Sequence, residues 1–273
     1  MIRLRLLRVG SCSAPARLAR PGARGRARFP ALIAVISHPE RGEILFDTGY
    51  GRSFFVATDP FPERIYRWLT PVSLPEEEAL PQQLARLGVT PDLVILSHLH
   101  ADHVAGLFDL ERVPQVVTSG AALDHLAALG RIGALRAGCP KGLRDRLLAA
   151  GIARIEARAQ AALPECLHGL AATGHDLLGD GSILTVDLPG HGTGQFGLFL
   201  PRTPHGPVLL GADAAWSIEA LRRNHPPPRA VLAQLGDAAA YLRSFAALHD
   251  LHRARPDIAL LFSHCPEAET WVR

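Results

Sequence analysis

Apolar and polar positions along the chain fall into runs of two lengths. Short runs, apolar throughout or alternating with period two, occur at 2–9, 31–37, 44–47, 93–97, 115–118, 183–188, 197–200, 208–211 and 258–263. Their length and period predict strands. Longer segments at 60–69, 76–87, 102–107, 121–129, 142–149 and 237–254 predict helices, the last following the breakers Pro226, Pro227, Pro228 and Gly236. Strands alternate first with turns and later with helices, which predicts a mixed sheet system flanked by helices rather than an all-β or all-α domain. Residues 10–29, rich in Gly, Ala, Pro and Arg, read as one long loop between two strands. No internal repeat is visible in ungapped reading. No apolar run reaches the roughly 18–20 residues that a membrane span requires, so no membrane partner is expected.

Composition narrows this picture. At 273 residues, 48% apolar and 20% charged, the chain can bury a sizeable core and is not disordered. The whole of it, 1–273, is expected to form one domain, with lid or insert segments at 54–75 and 121–164. Cys12, Cys139, Cys166 and Cys265 show no C-x-x-C spacing, which points to free thiols in a reducing compartment and a cytoplasmic location. Charge is uneven. Eight arginines and no acid precede Glu40, which leaves the remainder of the chain at −5 against a total of +3. The Arg-rich start has the composition of an organelle transit peptide, but its period-two alternation favours a strand. Without a broad basic face, no nucleic-acid partner is expected.

The chemistry concentrates at Ser97-His98-Leu99-His100-Ala101-Asp102-His103, directly after an apolar strand. His98 and His100, two apart at a strand end, can point the same way. Asp102 and His103 then open a helix. Imidazoles suit zinc and an adjacent carboxylate suits a second divalent ion, so this one segment can serve two neighbouring metals. His191, Asp213 and His264 each follow an apolar strand run, and side chains at the same end of neighbouring strands converge on one rim. Asp47 also ends a strand and reads as a hydrogen-bonding partner of a ligating imidazole rather than as a ligand. Cys265, beside His264, reads as a small buried neighbour. The remaining histidines, His125 and His38 among them, lack clustered spacing and read as surface or capping residues.

The ordered set H-x-H-x-D-H, Pro189-Gly190-His191, Asp213 and His264, preceded by Asp47-Thr48-Gly49, resembles the metallo-β-lactamase superfamily from about residue 44 to 264. The resemblance implies an α+β fold of the αββα four-layer sandwich type with a dinuclear metal site along one edge. It assigns His98, His100 and His191 to one ion, Asp102, His103 and His264 to the other, and Asp213 as the bridge. Two divalent ions are implied, zinc before iron or manganese, with a bridging hydroxide as nucleophile. Asp102 is the expected catalytic proton shuttle.

Asp213 where antibiotic-hydrolysing members often carry Cys favours the glyoxalase-like and lactonase-like branches. Lactonases of this family usually carry a Tyr three residues after the bridging Asp; here the position is Trp216, with one N–H donor and no phenol. The expected function is hydrolysis of an ester, lactone or thioester of a small apolar metabolite. The alternatives are an iron-dependent redox enzyme of the same fold and a phosphodiesterase. A homodimer is left open. The aromatic residues Phe54, Phe55, Phe61, Tyr66 and Trp68 form either core or an apolar wall beside the metals. Arg24, Arg26 and Arg28 either meet an acidic substrate group or are simply solvated.

Overall fold

The computed structural model describes residues 1–18, 22–112 and 114–271. Strands β1 (Arg3–Pro15) and β2 (Arg26–His38) form a long antiparallel hairpin in which Arg3 faces Ser37 and Pro15 faces Arg26. Much of the segment expected to be a loop is therefore ladder. Gly10, at φ 79°, absorbs a register shift between Arg8 and Ser11, and the strand continues past it. The small and polar residues beyond the bulge carry no apolar alternation, which is why their composition reads as loop. Arg26 and Arg28 cover this part of the ladder, donating to the hydroxyls of Ser13 and Ser11 at 2.8 and 2.9 Å.

The chain then runs through β3 (Gly42–Phe46), α1 (Arg52–Ala57), α2 (Arg64–Leu69), β4 (Val72–Ser73), α3 (Leu80–Leu87) and β5 (Pro91–Ile95). Next come α4 (Ala101–Val104), β6 (Gln115–Thr118), α5 (Gly120–Ala128), α6 (Arg131–Arg136), α7 (Lys141–Ala149) and β7 (Ala153–Arg154). These seven strands make one sheet in the order β4-β1-β2-β3-β5-β6-β7, with β3, β5, β6 and β7 parallel. A second sheet follows from β8 (Ala159–Ala162), β9 (Thr173–Asp176), β10 (Leu184–Asp187), β11 (Phe196–Thr203) and β12 (Gly206–Leu210). After α8 (Ile218–Arg222), α9 (Arg229–Leu235) and α10 (Ala238–Ala254), strand β13 (Ala259–Leu261) joins it parallel to β12.

Side-chain alternation builds the layers. Ala34 and Ile36 of β2, Ile44 and Phe46 of β3 and Ile95 of β5 enter one apolar cluster with Val186, Leu198 and Leu200 of the second sheet. Their neighbours Ile33, Val35, Leu45 and Val94 point the other way, into a cluster with Leu84 of α3, Leu126 of α5 and Leu143 of α7. Phe46 and Phe196 meet between the sheets with ring centroids 6.4 Å apart. Tyr241, Phe245 and Leu248 of α10 cover the far side of the second sheet. The result is the expected αββα sandwich, and each fully buried Leu, Ile or Phe adds roughly 1.5–3 kcal/mol.

All nine expected strands are present. The short β4, β7, β8 and β9 were not foreseen, because β4 and β7 have only two residues and β8 (AQAA) and β9 (TGHD) lack the apolar, β-branched residues that marked the other short strands. Short length also hid α1, α6, α8 and α9, none longer than seven residues, from the helix pattern. The helix expected at 76–87 breaks at Ala79 and restarts as α3, where Pro81 falls in the first turn; proline is tolerated there because its missing N–H has no partner to lose. The helix expected at 102–107 is α4 followed by a 3₁₀ turn at Ala105–Asp109.

Candidate metal centre

The parallel strands β3 and β5 end at one rim, and the second sheet brings the ends of β10, β12 and β13 to it. Asp47 follows β3, His98 to His103 follow β5, His191 follows β10, Asp213 follows β12 and His264 follows β13. Two of these corners hold unusual backbone: Asp47 sits at φ 63° and Ala212, just before Asp213, at φ 45°. Left-handed non-glycine residues persist where the surroundings over-determine them.

The seven expected side chains come together. His98 and His100 lie past the strand end, with ring centroids 4.5 Å apart, and His98 and His103 are 4.0 Å apart. Ligand-capable atoms within 4.8 Å of one another form three groups: His98, His100 and His191; Asp102, His103 and His264; and His98, His103 and Asp213. Asp213 stands between the first two groups, its Oδ2 at 3.0 Å from Nε2 of both His191 and His264.

Outer hydrogen bonds fix which nitrogen of each ring faces inward. Asp47, 1% exposed, accepts from the Ser97 amide, the Ser97 hydroxyl and His103 Nδ1, each at 2.8 Å. Because the Ser97 hydroxyl donates to Asp47, its oxygen accepts from His98 Nδ1 at 3.0 Å. His264 Nδ1 donates to the Pro30 carbonyl at 2.7 Å. In all three rings Nδ1 carries a proton, so Nε2 is the nitrogen that faces into the cluster. Of the inward atoms, His98 Nε2, His103 Nε2 and Asp213 Oδ1 are buried without a hydrogen-bond partner. Orphaned, converging imidazole and carboxylate atoms fit divalent ions well.

Electrostatics divide these imidazoles into two kinds. Burial, reinforced by neighbouring imidazoles, holds His98 far below the ordinary imidazole range and pushes His100 down to about 3, so both are neutral. Against the same desolvation, Asp213 and Asp47 raise His103, and Asp213 with Asp102 raises His264, so each also holds a proton on Nε2 that a bound ion would displace. Despite its burial, Asp213 is held well below the usual carboxylate range by His264, His103 and His191. Both carboxylates are anionic, as ligands must be.

The cluster floors a cleft of about 320 Å³. Phe29 and Trp216 form one wall in edge contact at 6.2 Å, and Trp216 also stands edge-on to His191 at 6.0 Å. Cys12, which faces Phe29 across the β1–β2 hairpin, Tyr50, Tyr66 and Thr70 also line the cleft, as do Leu135, Arg136 and Gly138. The 54–75 aromatics therefore divide: Phe54 is core, Tyr66 reaches the cleft, and Phe61 and Trp68 are exposed away from it, at 68% and 63%. Arg26 and Arg28 are engaged within the hairpin and Arg24 is exposed; none of the three lines the cleft. Cys265 is turned aside, accepting from the Ile218 amide and donating to Glu267, with burial pushing its thiol up to about 11. Cys12 is the thiol that reaches the cleft instead. His38 caps a turn, accepting from the amides of Glu40 and Arg41, while His125 lines a second cavity of about 460 Å³ that adjoins the cleft.

Sequence reading missed Ser97, the Pro30 carbonyl, Cys12 and Tyr50, and named Tyr66 only as one of several aromatic wall candidates. Ser97 alone carried a signal, standing between a strand end and His98; the others arrive through tertiary packing.

Fold and cluster together define a metal-dependent hydrolase. A profile of the metallo-beta-lactamase superfamily matches residues 26–258, and the chain belongs to that superfamily. Among curated relatives, the N-acyl homoserine lactonase AttM of Azorhizobium caulinodans is 29% identical over 204 residues, 70% of this chain and 67% of that protein. AttM of Agrobacterium fabrum is 26% identical over 246 residues, 88% of this chain and 83% of that protein. Among solved structures, a variant of B. thuringiensis AiiA with bound N-decanoyl-L-homoserine superposes with a TM-score of 0.70 at 19% identity, covering 99% of this chain and 96% of that one. The dizinc quorum-quenching lactonase AidC gives 0.65 at 16% identity, covering 97% and 88%. At such identities the superpositions speak for the fold.

Proposed function

We propose that the chain is a dinuclear zinc lactonase that opens the cyclic ester of a small lactone carrying an apolar substituent, of the N-acyl homoserine lactone class named for its relatives. The observation that carries the reading is the pair of His/Asp triads meeting at Asp213 on the floor of an aromatic-walled cleft. His98, His100 and His191 would hold one ion, Asp102, His103 and His264 the other, with Asp213 shared between them. Ions bound there would supply a water nucleophile at neutral pH and a Lewis acid for the carbonyl oxygen.

The chain's own residues do the rest. Asp47 and the Pro30 carbonyl keep His103 and His264 in the ligating tautomer. Phe29 and Trp216 give the substituent an apolar face and exclude water beside the reacting carbonyl. Asp102, on the cleft surface, is placed to carry a proton toward the leaving oxygen. The segments 54–75 and 121–164 serve as the walls of the cleft within a single domain, which the cleft positions of Tyr66, Thr70, Leu135 and Arg136 support. A cytoplasmic location accords with four free cysteines.

The test is metal analysis of protein purified without added metal, alongside turnover of a lactone, a thioester and a phosphodiester. About two zinc per chain with lactone turnover is expected. Iron with a silent panel would overturn the proposal in favour of redox chemistry, and turnover of the phosphodiester alone would replace the substrate class.

A further inference from the structure

Opening a lactone leaves an alkoxide, the poorest leaving group among esters and thioesters, so the cleft needs a proton donor that is free, neutral and turned toward the reacting atoms. The side chains lining the cleft can be taken in turn. The Tyr50 side chain is 1% exposed and packed edge-on against Phe54 at 5.1 Å, within the core rather than on the open face of the cleft. The Thr70 hydroxyl is spent on the Tyr66 carbonyl at 2.9 Å. Trp216 Nε1 is enclosed, without a partner. Arg136 and Gln234 stand on the divide with the second cavity, at the rim. Asp102, anionic within the cluster, can relay the proton released by water toward the leaving oxygen but needs a neutral donor beside it to complete the transfer.

Tyr66 remains. It projects from α2 with its ring edge-on to Phe54 at 5.6 Å, and its hydroxyl makes no hydrogen bond among the described residues. It shares the cleft with Asp102 and Asp213, and an ordinary phenol titrates at about 10. The group therefore stays protonated across neutral pH, within the field of both carboxylates.

We propose that Tyr66 is a catalytic residue, the phenol that protonates the departing ring oxygen. This rests on the lactonase reading above. Water adds across the acyl C–O bond: its oxygen bonds to the acyl carbon, the bond to the ring oxygen breaks, and that oxygen leaves with the electron pair. Tyr66 hands it the phenolic proton and regains one from the water consumed, so no further reactant is needed. An alkoxide is far more basic than a phenolate, so the transfer runs downhill. A thiolate or nitrophenolate departs without such help.

The experiment compares wild type and Tyr66→Phe, which keeps the packed ring and removes only the hydroxyl. Both are assayed on an N-acyl homoserine lactone, an alkyl thioester and a nitrophenyl ester, with zinc content measured in parallel. Tyr66→Phe is expected to lower kcat on the lactone by about 100-fold or more while changing the thioester and nitrophenyl ester by less than about 3-fold, at unchanged zinc content. An equal loss on all three substrates would overturn the role and make Tyr66 a wall residue. An active wild type whose variant keeps full lactone turnover would overturn the role alone. A wild type silent on the entire panel would remove the lactonase reading, and this role with it.

Discussion

Replacing Asp47 with asparagine preserves shape and changes one atom, and the structure specifies what should follow. Oδ1 accepts from the Ser97 amide, while Oδ2 accepts from the Ser97 hydroxyl and His103 Nδ1. An amide must place its NH₂ against one of these sets. A backbone N–H cannot become an acceptor, whereas a hydroxyl can rotate and an imidazole can move its proton, so the nitrogen settles on the Oδ2 side. His103 then carries its proton on Nε2, the atom that faces the cluster, and must shift it back to bind metal. Loss of such an outer partner typically costs about 10–100-fold in metal affinity, or roughly 1.4–2.7 kcal/mol.

Asparagine tolerates the φ of 63° at this position, so the loss comes from hydrogen bonding and not from strain. Asp47→Ala adds about 1–2 kcal/mol of backbone cost and leaves the Ser97 amide unsatisfied, so it should also lower the unfolding midpoint of the metal-free protein. The assay is zinc competition against a chelating dye, with thermal unfolding of the stripped protein alongside. If Asp47→Asn held two ions with wild-type affinity, the tautomer argument would fail.

Two further outcomes are expected. Gly190 lies at φ 129° with any Cβ running into the Tyr241 backbone, so Gly190→Ala should cost about 2 kcal/mol or more and displace His191; a variant with wild-type urea midpoint and zinc content would refute this. Glu63, buried and paired in bidentate fashion with Arg131 at 2.6 and 2.7 Å, has its carboxyl lowered chiefly by that hydrogen bond. Its stabilisation is present above the unfolded value of about 4.3 and is lost as pH falls through the lowered folded value. The melting-temperature advantage of wild type over Glu63→Gln should therefore be clear at neutral pH and disappear as acid takes the pH through the lowered folded value, and an advantage that grew in acid would contradict it.

What could be read in advance follows from what each feature requires of the chain. Ligands must be particular residue types at strand ends, so His98, His100, Asp102, His103, His191, Asp213 and His264 stand out from a background of apolar runs. The layers were readable because β2, β3 and β5 send alternate residues to two separate cores. The bent far half of β1 was not readable, because its pairing uses backbone groups that any composition can supply once Gly10 makes the bulge. Tyr66 was visible as an aromatic residue, yet nothing local distinguishes it from the exposed Trp68 two positions on. Only packing against Phe54 turns one inward and leaves the other out.

The contact between Pro30 and His264 joins positions 234 residues apart. It closes a loop that takes in every other member of the cluster, so the centre is a product of long-range closure and cannot be carried by either sheet alone. Contacts of such separation form late and slowly, because the entropy of closing the loop is lost before the contact returns anything. A fragment ending after the first sheet would present His98, His100, Asp102 and His103 with no second side to the site. Metal supply during refolding should then act as a clasp, holding together two half-structures that meet last.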